Sequence, residues 1–105
     1  MLNKITMLVF EVIDEINEDA TRSDKIIKSL DTVLVGRESS IDSLTLLEII
    51  VGLERKISDE LNKHIIIVSD RAFSSFKSPF STVSNLVYFV TEEIENADNV
   101  NIRNE

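Results

Sequence analysis

Leu2, Ile5, Leu8, Val9, Val12, Ile13 and Ile16 recur at the intervals that line one face of a helix. The spacing predicts about five helical turns, ending near Asp19, with Glu11, Asp14, Glu15 and Glu18 on the solvated face. Acids so late in a helix oppose its macrodipole and add nothing to its stability. From Ala20 to Asp42 the pattern weakens. Residues Asp24 to Leu30 allow one or two helical turns, and Asp31 to Ser40 reads as an irregular connection turning at Gly36. A loop this long inside a small domain is unusual and often functional.

The second strong segment runs from Ser43 to about Lys63. Leu46, Ile50, Leu53, Ile57 and Leu61 mark one face, and Leu44, Leu47, Ile49 and Val51 widen it. Only a narrow stripe through Thr45, Glu48, Gly52, Arg55 and Asp59 stays free of large apolar side chains. A helix apolar on so many sides is expected to be covered on most of them, as the central element of a bundle. Asp42 or Ser43 is suited to cap it, offering a side-chain oxygen to the first unpaired N–H groups.

His64 to Val68 is β-branched and too short for a helix of its own, and a single strand without a partner is worth little. It reads as an extended crossing that pins apolar residues onto the bundle. Ser69 or Asp70 then caps a short helix through Ala72, Phe73 and Phe76, which Pro79 stops. The last helix starts near Ser81 or Thr82, with Val83, Leu86, Val87, Val90 and Ile94 on one face, and the polar end past Asn96 is expected to fray. The fold class is therefore all-α: three main helices and one short third helix, with a long loop between the first and second. Residues 1–97 form one domain, and 98–105 form a polar tail.

Composition narrows what such a bundle can do. With 105 residues the chain has room for one domain only, which should bury roughly two-thirds of its unfolded surface without a metal or a disulfide. Zero Cys removes disulfides, thiolate metal sites and a cysteine nucleophile, and one His excludes a multi-His zinc site. A formal net charge of -8 argues against a nucleic-acid partner, because phosphate backbones call for a basic face. No apolar run is long enough to span a bilayer, and the start lacks a secretion pattern. A soluble, cytoplasmic domain is expected.

Catalytic equipment is sparse. The acids fall mostly on predicted solvent faces, and His64 lies beside an apolar run, where a histidine is more often partly packed than catalytic. Gly36 and Gly52 sit in no phosphate-cradling loop. Phe73, Phe76, Phe80, Tyr88 and Phe89 have no interleaved basic residues and read as core and helix joints. Nothing here builds an enzyme's active site.

One stretch stands apart: Asp42-Ser43-Leu44 opens the most apolar helix at the end of the long loop. The plain reading is a helix cap. The wider pattern is Ile41-Asp42-Ser43-Leu44, then Leu47-Glu48 and Leu53-Glu54, with Phe80-Ser81-Thr82-Val83 opening the last helix. Over about Asp31 to Val90 this resembles the acyl carrier protein family, four-helix domains that carry phosphopantetheine. The stretch from Val68 to Leu86 is similar to bacterial carriers with a lengthened connection before the last helix.

The resemblance implies that Ser43 carries 4′-phosphopantetheine taken from coenzyme A, flanked by Asp42 and Leu44. A phosphopantetheinyl transferase would deprotonate Ser43, whose oxygen attacks the β-phosphate and leaves a phosphodiester. A helix N-terminus favours an anion there, and a chain without Cys must borrow its thiol. The protein would then catalyse nothing. It would hold an acyl or aminoacyl thioester for an activating ligase and a downstream acyltransferase or synthase, and act as a monomer. Family partners dock on the acidic side of the second helix. Glu48 and Glu54 match that pattern, whereas Arg55, Lys56 and Arg37 depart from it. A basic side chain at a docking rim discriminates by charge, which favours a specialised carrier serving one pathway over the housekeeping fatty-acid one. The alternative is a helical module of the same fold that binds a partner through its acidic face without modification.

Overall fold

In the computed structural model, residues 2–19, 25–35, 41–65, 67 and 81–103 are described, with the side chains of Ser43 and 97–103 left aside. Three α-helices follow in order: α1 (Leu2–Asn17), α2 (Ser43–Leu61) and α3 (Val83–Arg103). Among the described residues there is no strand beyond a single antiparallel bridge between Val33 and Thr82. The fold is an all-helical bundle. The expected short helix after Ser69, its stop at Pro79, the turn at Gly36, and Arg37 and Glu38 lie outside the described residues.

The stripe of α1 buries as its spacing predicts: Ile5, Leu8, Val9, Val12 and Ile13 are at most 2% exposed. Leu2 stays at the surface and Ile16 packs against the edge of the core. At the C-terminal end, Lys25 Nζ donates to the Asn17 carbonyl at 2.5 Å and to that of Asp19 at 3.2 Å. A cation there offsets the late acids of α1. The α3 stripe is likewise buried, through Val83, Leu86, Val87, Val90 and Ile94. Its helical backbone runs to Arg103.

Two expectations need correction. The central helix is α1, not α2: α1 packs against both other helices, while among the described residues α2 and α3 make no close backbone contact with each other. The reason is the width of the α1 stripe, which reaches two neighbours at once. Nor is α2 covered on most sides. It buries Leu46, Ile49, Ile50, Leu53 and Ile57 and leaves Leu44, Leu47 and Val51 at 67%, 37% and 40% exposure. Gly52 turns this helix: a Cβ there would stand 3.0 Å from Val12 Cγ1, so the glycine lets α1 and α2 approach closely.

The stretch 25–28 is not helical, contrary to expectation. Asn17 holds Ile26 from both sides, donating to its carbonyl at 2.9 Å and accepting its N–H at 2.8 Å. Thr32 donates its hydroxyl to the Ile27 carbonyl at 2.5 Å. These bonds satisfy backbone groups that a helix would otherwise pair, and they place Ile26 in the core while Ile27 stays outside. Farther along, Leu34 N–H donates to Ser81 O at 2.8 Å, and the first N–H groups of α3, on Val83 and Ser84, donate to Thr32 O and Leu30 O at 3.0 Å each. The loop before α2 thus caps α3. Ile67, the buried end of the extended crossing, is held by its N–H donating to Glu54 Oε2 at 2.6 Å.

Candidate functional site

The start of α2 is built around Asp42. Its extended backbone (φ -81°, ψ 171°) breaks the helix, and its carboxylate accepts the Thr45 N–H at 2.7 Å. Its carbonyl accepts the Leu46 N–H at 2.9 Å. Asp42 is therefore the N-cap, and Ser43 is the first helical residue. The cap that could have explained Ser43 is supplied by its neighbour.

The N-termini of α2 and α3 differ in what remains for a ligand. In α3 the first-turn donors are taken, by Thr32 O, Leu30 O and the Thr82 hydroxyl, which accepts Asn85 N–H at 3.1 Å. In α2, among the described residues, the Leu44 N–H has no hydrogen-bond partner. An unpaired donor at the positive end of a helix suits an anion. Leu44 itself stands in solvent, in line with Leu47 and Val51 at the three- and four-residue steps that share a helix face.

The charged residues expected to choose partners separate into two sets. Glu48 and Arg55 are exposed and line one shallow depression with Leu47, Val51 and Gly52. Arg55 also borders a second depression with Val51, Glu54, His64 and Ile65. Glu54 and Lys56 are turned to internal tasks instead. Glu54 holds the Ile67 N–H, and Lys56 Nζ lies 2.6 Å from Glu15 and 3.6 Å from Glu11 on α1. The hydrogen bond that Lys56 donates to Glu15, opposed by desolvation and supported by the charges of Glu15 and Glu11, holds the Lys56 ammonium above its ordinary pKa. Arg37 lies outside the described residues, and so does any account of the Ser43 side chain.

His64, expected to be partly packed, is exposed, and its ring Nδ1 lies 3.4 Å from Ser58 Oγ. Tyr88, expected in the core or at a joint, is 57% exposed on α3. Among the described residues no cluster of His, Asp and Glu could hold a metal ion, and no helix is long and apolar enough to cross a membrane. Sequence reasoning passed over one feature near Ser43 in the chain, a depression of about 280 Å³ lined by Ile26, Ile27, Val33 and Ile41 together with Lys25, Asp31 and Thr32. The adjacent isoleucines were its signal. In comparisons with known proteins, no family model, curated sequence or solved structure matches this chain.

Proposed function

We propose that the chain is a carrier protein that holds an acyl or aminoacyl group as a thioester on 4′-phosphopantetheine attached to Ser43. The observation that carries this reading is the division of labour at the start of α2. Asp42 is the N-cap, so the helix start does not require Ser43 as its cap residue, and the adjacent Leu44 N–H has no partner among the described residues. These features fit a phosphodiester at that place: a hydroxyl-bearing first residue, a helix N-terminus and an unpaired N–H. The bound arm supplies the thiol that a chain without Cys lacks.

In loading, the Ser43 oxygen forms a bond to the β-phosphorus of coenzyme A. The bond to the adenosine 3′,5′-bisphosphate leaving group breaks, and the hydroxyl proton passes to the transferase. The protein itself performs no turnover. It presents Leu44, Leu47, Val51, Glu48 and Arg55 along α2 beyond the attachment point, an apolar face with one acid and one base on it. Such a face suits a partner of mixed charge better than a uniformly basic one.

The test is direct. Co-expression with a broad-range phosphopantetheinyl transferase should add the mass of one phosphopantetheine, and Ser43→Ala should abolish the gain while the helical circular dichroism is kept. A folded chain that gains no mass overturns the reading and leaves the unmodified docking module in its place.

A further inference from the structure

We propose that the groove between the start of α1 and α3 docks a basic amphipathic helix presented by a partner protein. This surface is separate from the Ser43 site and does not rest on the carrier reading: α1, α3 and Leu30 line it, and no residue of α2 does.

The groove consists of two depressions, of about 620 and 200 Å³, that share Leu2, Asn3 and Tyr88. Its exposed apolar side chains are Leu2, Leu30 and Tyr88, at 39%, 44% and 57% exposure. Single apolar residues scattered over a surface need no explanation, but three around one concavity mark an interaction site. The hydroxyls beside them are occupied within their own helices: that of Thr6 donates to Leu2 O at 2.9 Å, and that of Thr91 to Val87 O at 2.8 Å. Leu30 is held in place, since its carbonyl accepts the Ser84 N–H. The surface is therefore formed in advance, which lowers the entropic cost of docking.

Charge identifies the partner. Glu92 and Glu95 stand at one end of the groove, and no base lines either depression. By contrast, the depressions bordered by α2 hold Arg55, and the one beside the loop holds Lys25. Tyr88, Glu92 and Glu95 share one face of α3 at steps of four and three. Among the described residues neither carboxylate has an ion-pair partner. Like charges one turn apart weaken a helix, and a cation brought against both reverses the effect. At a net charge of -8, a second copy of this chain or an anionic membrane is repelled from such a rim. A lysine or arginine is drawn to it, and its stem and charge also suit the Tyr88 ring.

Shape makes that partner a helix. The lining of α3 runs from Ser84 to Glu95, about 16 Å at the rise of a helix, or roughly three turns. An extended segment would need a free strand edge to pair with, and among the described residues there is no strand beyond one isolated bridge. A helix lying along the groove needs none. Its apolar side chains at three- and four-residue steps meet Leu30, Val87 and Tyr88, and basic residues one turn farther on meet Glu92 and Glu95. The uneven charge of the groove thereby fixes the direction in which the helix lies.

The test selects peptides of about 14 residues, roughly four helical turns, from a random phage-displayed library against the full chain. Enriched peptides should carry apolar residues at helical spacing with Lys or Arg at one end. A synthetic copy free of Tyr and Trp should change the fluorescence of Tyr88, the sole Tyr, and lose affinity as salt rises. Tyr88→Ala, at an exposed position, should weaken binding about thirtyfold, and Glu92→Gln combined with Glu95→Gln about tenfold. Glu18→Gln combined with Asp59→Asn, an equal loss of charge on exposed residues elsewhere, should leave binding unchanged. A folded chain that enriches no peptide, or only peptides insensitive to Tyr88→Ala or to the paired glutamate change, overturns the proposal. So does a dimer in sedimentation that Tyr88→Ala dissociates, since a second copy then fills the groove.

Discussion

Asp42 and Ser43 are neighbours whose substitutions should have separable consequences. Removing the Asp42 carboxylate leaves the Thr45 N–H, on a residue only 5% exposed, without its acceptor. Asp42→Ala is therefore expected to cost about 1 kcal/mol, read as a lower urea midpoint with an unchanged slope. With Asp42 as the N-cap, Ser43→Ala should change stability by less than about 0.5 kcal/mol. A large loss in Ser43→Ala would mean that the serine, too, holds the helix start. Lys56 offers a second test, in pH. Folding raises its pKa through Glu15 and Glu11, so the unfolded chain sheds this proton first as pH climbs. The stabilisation is complete below the ordinary lysine range and disappears as pH rises through the folded value. Lys56→Met should thus be less stable than the parent near neutrality, by under about 1 kcal/mol for so accessible a pair. The difference should vanish in urea titrations taken well above the lysine range. A difference that persists there would assign the effect to the side chain's methylenes rather than its charge.

Among the elements, α2 shows how a helix can be legible while its orientation is not. Apolar residues surround its first turns, so a 3.6-residue period identifies the helix without choosing its buried side. Gly52 marks the side that meets α1, where Val12 stands 3.0 Å from the position of a Cβ. Gly52→Leu should accordingly cost about 1–3 kcal/mol by overpacking, although a glycine in mid-helix is ordinarily a liability. Urea denaturation measures it, and a stabilised variant would show that the two helices are free to separate. The same geometry places Lys56, one turn beyond Gly52, against Glu11 and Glu15. That placement was readable from the four-residue step once the glycine's role was known. The α1 and α3 stripes were readable outright, because each has one apolar face and one polar one. The segment 25–28 was not. Its conformation depends on Asn17, nine residues from Ile26, and no local propensity reports such a bond. The candidate site divides the same way. Asp42-Ser43-Leu44 is contiguous and can be read directly, whereas the depression joins positions 26, 27, 33 and 41 only after the loop has folded.

At the scale of the molecule, the position of α1 between α2 and α3 predicts how the bundle comes apart. Buried side chains from all three helices, with Ile26, Leu34 and Ile67 from the connections, form one continuous core. The loop carbonyls of Leu30 and Thr32 also accept the first N–H groups of α3. Neither α2 nor α3 can leave without stripping apolar surface from α1, so unfolding should be all-or-none, as is usual for domains of this size. The chain supplies its own local probe, since it has no Trp and a single Tyr, Tyr88, on α3. Tyr88 fluorescence then follows the docking of α3 while far-UV circular dichroism follows all three helices. Both should give one urea midpoint. The sharper form of the test uses Ile13→Val on α1, a fully buried position where losing a methylene should cost about 0.5–1.5 kcal/mol. If α1 is the shared support, both signals must move by the same amount, although Tyr88 lies on a different helix. A variant in which the dichroism shifts and the fluorescence stays would show that α3 is held chiefly by the loop hydrogen bonds. The core would then divide between α1 and α3, and the one-core account of the fold would have to be withdrawn.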